Sequence, residues 1–158
     1  MEEINTKLAQ ETYKSLLKAI ELNGWVCAKN DEKLSIAFGV NGDDLHMDFL
    51  VGIDAQRQLV RLMSKLPFKV PMDKLMDLSI ATNAANYSMN DGNFDLDIAG
   101  GNVYFRMTTS YRSSIISPNA LVYMVNCATW SVDKFNDKLL MVINGKMSTS
   151  EFIDFCKN

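Results

Sequence analysis

Cysteine is scarce in this chain. There are three, Cys27, Cys127 and Cys156, an odd count at wide spacing. Such usage fits reduced thiols in a cytosol and matches no zinc-ligand pattern. Histidine is scarcer, with His46 alone. No stretch approaches the roughly 18 consecutive apolar residues of a membrane span. The opening "MEEINTKLAQ" lacks a basic region followed by an apolar run, so no secretion signal is expected. Low-complexity segments and internal repeats are missing too. Positive charge is in deficit, at a formal net charge of −3 and a pI near 5.1. Lysines and arginines are scattered, with no basic stripe. Nucleic-acid binding draws most of its affinity from phosphate neutralisation, so this balance argues against it. These absences point to a cytoplasmic protein with no membrane and no nucleic-acid partner.

What is present is 158 residues, 47% hydrophobic and 22% charged. That suffices for one domain with a real core, residues 1–158, and is too little for two. Leu8, Tyr13, Leu16, Leu17 and Ile20 recur at near-helical spacing over 6–22, and Asn23-Gly24 ends the run. "WVCAK" (25–29) is a weak strand. "KLSIAFGV" (33–40) alternates, with Leu34, Ile36, Phe38 and Val40 on one face. Asn41-Gly42 predicts a two-residue hairpin turn, which would set Phe38 against Leu45, Ile36 against Met47 and Leu34 against Phe49. A second turn near Ala55-Gln56 would pair Val51 with Val60 and Phe49 with Leu62. Pro67 and Pro71 then break the strand pattern. A helix over 72–89 carries Leu75, Leu78, Ala81, Ala85 and Met89 on one stripe. Pro118 opens a long helix to about 143, its buried face formed by Leu121, Met124, Ala128, Val132, Phe135, Leu139 and Val142. Ser148 and Glu151 form a capping box for a last short helix, about 149–156. The core spans about 6–145.

"NDGNFDLDIAGGN" (90–102) places Asp91, Asn93, Asp95 and Asp97 at alternate positions, like the start of a calcium loop. Such a loop needs Gly at its sixth position and Glu at its twelfth, where this chain has Leu96 and Asn102. The alternation reads instead as a strand with Phe94, Leu96 and Ile98 inward and the acids in water. A Gly100-Gly101 turn would set Ile98 against Val103, Leu96 against Phe105 and Phe94 against Met107. Asp97 would meet Tyr104, and Asp95 would meet Arg106. The predicted order is α-β-β-β-β-α-β-β-α(-α): an α+β fold, with an antiparallel sheet built from hairpins and helices packed on one face.

"NYSMNDGNFDLDIAGGNVYFR" (86–106) resembles the YbjN family, described as candidate sensory transduction regulators of bacteria. Asn86, Gly92, Phe94, Leu96, Asp97, Gly101, Val103, Phe105 and Arg106 carry the match. "LPFKVP" (66–71) is similar to the family's linker into its second helix, and 128–145 to its last helix, through Asp133, Phe135, Leu139 and Gly145. The resemblance covers most of residues 10–145. It implies a fold similar to the type III secretion chaperones, which are small, acidic, cytosolic dimers binding extended protein segments on apolar patches. "SYRSSIISPN" (110–119) and the last helix depart from it. The family has no agreed activity, and no functional site is carried over.

The residues offer little chemistry. His46, beside Asp48, reads as a solvent-facing strand histidine rather than a general base. Cys27 and Cys127 lie in apolar segments, where inert thiols are usual. "GVNG" (39–42) lacks the Gly-Lys-Ser/Thr and the following helix of a phosphate loop. No cofactor, metal or catalytic group is expected. Ten methionines are many; most read as flexible core filler, and some as the lining of an adaptable partner groove. Tyr123, Cys127 and Trp130, at i, i+4 and i+7, give the third helix a second apolar face, available to the sheet, a second subunit or a partner. Tyr123, Trp130, Met72 and Met76 are therefore the candidate partner-binding residues of a non-enzymatic, homodimeric protein-binding module. The rival readings are a small-ligand sensor with a cavity between sheet and helices, and an enzyme using His46 or a cysteine.

Overall fold

The computed structural model describes residues 2–157, with side chains from Thr6 onward. Helix α1 (Glu2–Leu22) leads into strands β1 (Ala28–Asn30), β2 (Ser35–Asn41), β3 (His46–Asp54) and β4 (Leu59–Lys69). A single 3-10 turn, Met72–Lys74, enters helix α2 (Leu75–Ser88). Strands β5 (Asn93–Asp97) and β6 (Asn102–Ser110) follow, then helices α3 (Pro118–Ile143) and α4 (Thr149–Cys156). The six strands form one sheet in the order β1-β2-β3-β4-β6-β5, every neighbour antiparallel. The expected α+β architecture and element order are thus observed.

Period-2 patterning places the core. Along β3 the pattern is regular, with Met47, Phe49, Val51 and Ile53 buried while His46, Asp48 and Leu50 are exposed. Helices α1 and α3 pack together over β3, and α3 also covers β4 and β6. Helix α2 lies along β5, with α4 against it. Phe135 on α3 joins the layers: its ring meets Phe94 of β5 at 5.8 Å, Phe155 at 5.9 Å and Phe152 at 6.2 Å. The Phe94 and Phe155 pairs are edge-to-face, and such pairs add about 0.5–1.5 kcal/mol each beyond burial.

All three expected hairpin registers are corrected, each by an even number of residues. Phe38 faces Phe49 rather than Leu45, and Ile36 faces Val51. The loop there is Gly42–Leu45, because it docks on α3: the Asp43 N–H donates to Asp133 Oδ1 at 3.0 Å. A Cβ on Gly42 would lie 2.0 Å from that same oxygen and 2.9 Å from the Leu45 carbonyl, so a side chain there would displace the docking contact. Val51 faces Leu62 rather than Val60, across a loop in which Asp54 accepts the Arg57 N–H and Gln58 takes φ 55. Phe94 faces Phe105 rather than Met107. Asp97 there accepts the Gly100 N–H at 2.9 Å, which ends the strand early and turns Ile98 out to solvent. Asp95 sits opposite Tyr104, yet still pairs diagonally with Arg106. Even shifts leave the paired side chains on their expected faces; Ile98, expected inward, is the exception, because it falls in the turn beyond β5.

Two local expectations also give way. Pro67 lies inside β4 rather than ending it, at a register irregularity between Lys65 and Lys69 where its missing N–H costs no ladder bond. The weak strand expected over 25–29 forms instead at Ala28–Asn30, three residues long.

Candidate protein-binding surface

Helix α2 turns Leu78, Ala81, Thr82 and Ala85 inward. Its opposite side carries Met76 (73% exposed), Ile80 (41%) and Tyr87 (93%), at spacings of four and seven, and Met72 (83%) in the preceding 3-10 turn extends the stripe, flanked by Asp73 and Asp77. Met72 and Met76 are therefore neighbours in space as well as in sequence; Ile80 and Tyr87 extend their stripe and were missed. Their signal was available, since they fall opposite the core stripe on the same helical wheel.

Tyr123 and Trp130 are likewise exposed, so the second apolar face of α3 is not consumed within the fold. Tyr123 Oη donates to Asp91 Oδ2 at 2.6 Å. That bond, then the carboxylate's charge, pushes the phenol up to about 12. Trp130 stacks beneath Lys134 Nζ at 5.3 Å, and the same ammonium lies 5.6 Å from the Phe155 ring. The length of α2, roughly 20 Å at 1.5 Å per residue, separates Met72 and Met76 from the Asp91 end. The four expected residues thus make two surfaces rather than one.

The edges of the sheet differ. On β5 the Asn86 side chain grips the outward peptide of Phe94: the Phe94 N–H donates to Asn86 Oδ1 at 2.7 Å, and Asn86 Nδ2 donates to the Phe94 carbonyl at 2.9 Å. The amide stands where a neighbouring strand would. At the far side β1 covers β2 only from Ser35 to Ala37, so β2 itself is the edge from Phe38 to Asn41.

Two hollows open nearby. One, of about 740 Å³, runs between the C-terminal half of α1 and the segment entering β1, lined by Leu17, Ile20, Trp25 and Cys27 with Lys14, Lys18 and Lys29. The other, of about 570 Å³, lies on the uncovered face of the sheet, where Leu50 and Met63 stand beside Lys33, Arg61 and Arg106.

The groups weighed for catalysis are arranged otherwise. His46 Nδ1 lies 2.7 Å from Asn41 Oδ1 and Nε2 lies 3.3 Å from Asp48 Oδ1, on the exposed sheet face. All three cysteines are free. Burial, and then the Asp91 charge, raises the Cys127 thiol; burial raises Cys156. Both are protonated at neutral pH, which blunts them as nucleophiles. The alternating acids of residues 91–97 are each engaged: Asp91 by Tyr123, Asp95 by Arg106 and Asn93, Asp97 by Gly100 and Asn102. Among the described residues no helix is long and apolar enough to cross a membrane.

No protein-family model matches the chain, and no curated protein matches it in sequence. Solved structures do. A chain of the ExsC–ExsE complex is 14% identical, with TM-score 0.55 over 80% of this chain and 92% of that one. YbjN from E. coli is 12% identical, with TM-score 0.55 over 83% and 87%. A chain of the HopA1–SchA chaperone–effector complex is 17% identical, with TM-score 0.52 over 77% and 91%. The fold is that of YbjN and the type III secretion chaperones.

Proposed function

We propose that this chain is a non-enzymatic protein-binding module, chaperone-like or regulatory, which works in the cytoplasm of a bacterium as a homodimer and takes a segment of a partner protein. It would act as one domain over its whole length. The observation that carries the reading is the exposed stripe Met72, Met76, Ile80 and Tyr87 on α2. Isolated exposed apolar residues are ordinary; four on one side of the 3-10 turn and α2, interrupted only by Asn83, mark an interaction face. We assign that row to the second copy, and the Tyr123–Trp130 face to a flanking part of the partner, outside the segment it inserts. Two of the similar folds come from complexes, one of them described as chaperone with effector. The protonated thiols and the exposed His46 support a binder over a catalyst. The small-ligand reading calls for a cavity between sheet and helices, whereas the two hollows described open on the outer face and the α1 flank.

Light scattering of the purified chain tests the dimer. The expected mass is twice 17.8 kDa. Met76→Asp with Ile80→Asp is expected to return it to one copy with its circular dichroism intact. A wild-type chain of single mass that also captures no partner from native lysate would sink the reading.

A further inference from the structure

The two hollows concentrate positive charge in an acidic protein. Together they hold six of the sixteen lysines and arginines (Lys14, Lys18, Lys29, Lys33, Arg61 and Arg106) and two of the nineteen acids, Glu21 and Asp54. Among the described residues the four lysines form no ion pair. The arginines have partners: Arg61 lies 3.7 Å from Asp54, which Arg57 also contacts, and Arg106 pairs with Asp95. In both hollows the cations rim an apolar floor, Leu17, Ile20 and Trp25 in one, Leu50 and Met63 in the other. Lys29 pairs in register with buried Ile36 and so faces α1, whereas Leu50 and Met63 are register partners on the uncovered face. The β1–β2 hairpin is what separates the hollows.

Resting on the protein-binding reading above, we infer that the partner is an acidic, leucine-type extended segment that seats its apolar side chains in the α1-flank hollow and crosses the hairpin toward Leu50 and Met63. Charge and spacing select this occupant. Lys14 and Lys18 are one helical turn apart, about 6 Å. Acids at i and i+2 of an extended chain recur at roughly 6.6 Å, so alternate glutamates meet both ammoniums while the residue between them turns to the Trp25 floor. Unpaired surface cations rimming a concave site raise the encounter rate with an anion and reject a cationic competitor.

Trp25 lines the first hollow and supplies the readout; Trp130 is kept, and the same titration on a Trp25→Phe variant separates the two signals. Three synthetic peptides of one length share the same leucines and carry glutamate, serine or lysine at the intervening positions. The glutamate peptide is expected to shift Trp25 emission and to bind at least tenfold tighter than either other, with affinity falling as salt rises. Lys14→Glu with Lys18→Glu is expected to weaken it at least tenfold, and Arg61→Glu with Arg106→Glu to weaken it further. Lys157→Glu, on α4's exit, is expected to change nothing. Equal binding of the serine peptide, untouched by the lysine reversals, would overturn the acidic partner and leave segment binding standing. Binding by no peptide, or by the lysine peptide as tightly, overturns the assignment outright. Inorganic phosphate displacing the glutamate peptide at matched ionic strength would overturn it in favour of a small-anion site. The dimer mass is read independently of all these outcomes.

Discussion

Asn86 shows how much one side chain can settle. Both polar groups of its amide are spent on the Phe94 peptide, at 2.7 and 2.9 Å. Asn86→Ala would leave a strand N–H and C=O without partners beside Phe94, which is buried. The expected cost is about 1–3 kcal/mol, larger than for a surface asparagine. Asn86→Asp keeps the acceptor but sets a carboxylate against the Phe94 carbonyl, so it should also destabilise. Urea unfolding of the three proteins checks this; a Asn86→Ala variant as stable as wild type would remove the assigned role. The sequence marks Asn86 only through family resemblance, because a long-range side-chain bond leaves no trace in periodicity. The faces of most strand residues, by contrast, were legible: Phe94, Phe105, Ile36 and Phe49 point where alternation puts them, while Ile98, beyond the end of β5, does not.

Elements were legible in kind and order, and their junctions were not. Helix α3 begins and ends at the expected residues because Pro118 and Gly145 punctuate it locally. Hairpin registers depend on contacts from elsewhere in the chain, such as Asp133 reaching the Asp43 N–H. A similar distant bond ties α1 to the β1–β2 turn: Tyr13 Oη donates to Asp31 Oδ1 at 2.8 Å. Burial first, and that bond second, push Tyr13 up to about 12 from an ordinary 10.0. The folded chain therefore holds this proton more tightly than the unfolded chain. The stabilisation is whole below pH 10 and drains away as pH climbs toward 12. Thermal melts across that window are expected to fall steadily. Tyr13→Phe, which has no proton to lose, should fall less steeply; parallel slopes would refute the coupling.

Across the whole molecule, α4 closes the core that the other elements share. Its capping box, Ser148 with Glu151, starts the helix where Phe152 is fully buried against Phe135. Phe152→Ala is expected to cost about 3–5 kcal/mol, since the surrounding rings can collapse only partly into the space. A loss below 1 kcal/mol, read from the same urea series, would mean that α4 merely rests on the surface. The sequence showed this helix and its cap, while its place in the core depended on Phe135 serving two layers at once. The partner surfaces were half legible. Met72, Met76, Tyr123 and Trp130 could be named by residue type, but only three-dimensional placement divides them into an α2 row and an α3 face.

The amide that stands in for a strand at β5 has a consequence for assembly. A sheet with two bare margins can add neighbours at both and so grow without limit toward fibrils. Here one margin is stoppered at Phe94, and the other is the short stretch made by three-residue β1 and the uncovered end of β2. Any chain that joins finds a single berth, and stacking terminates with it.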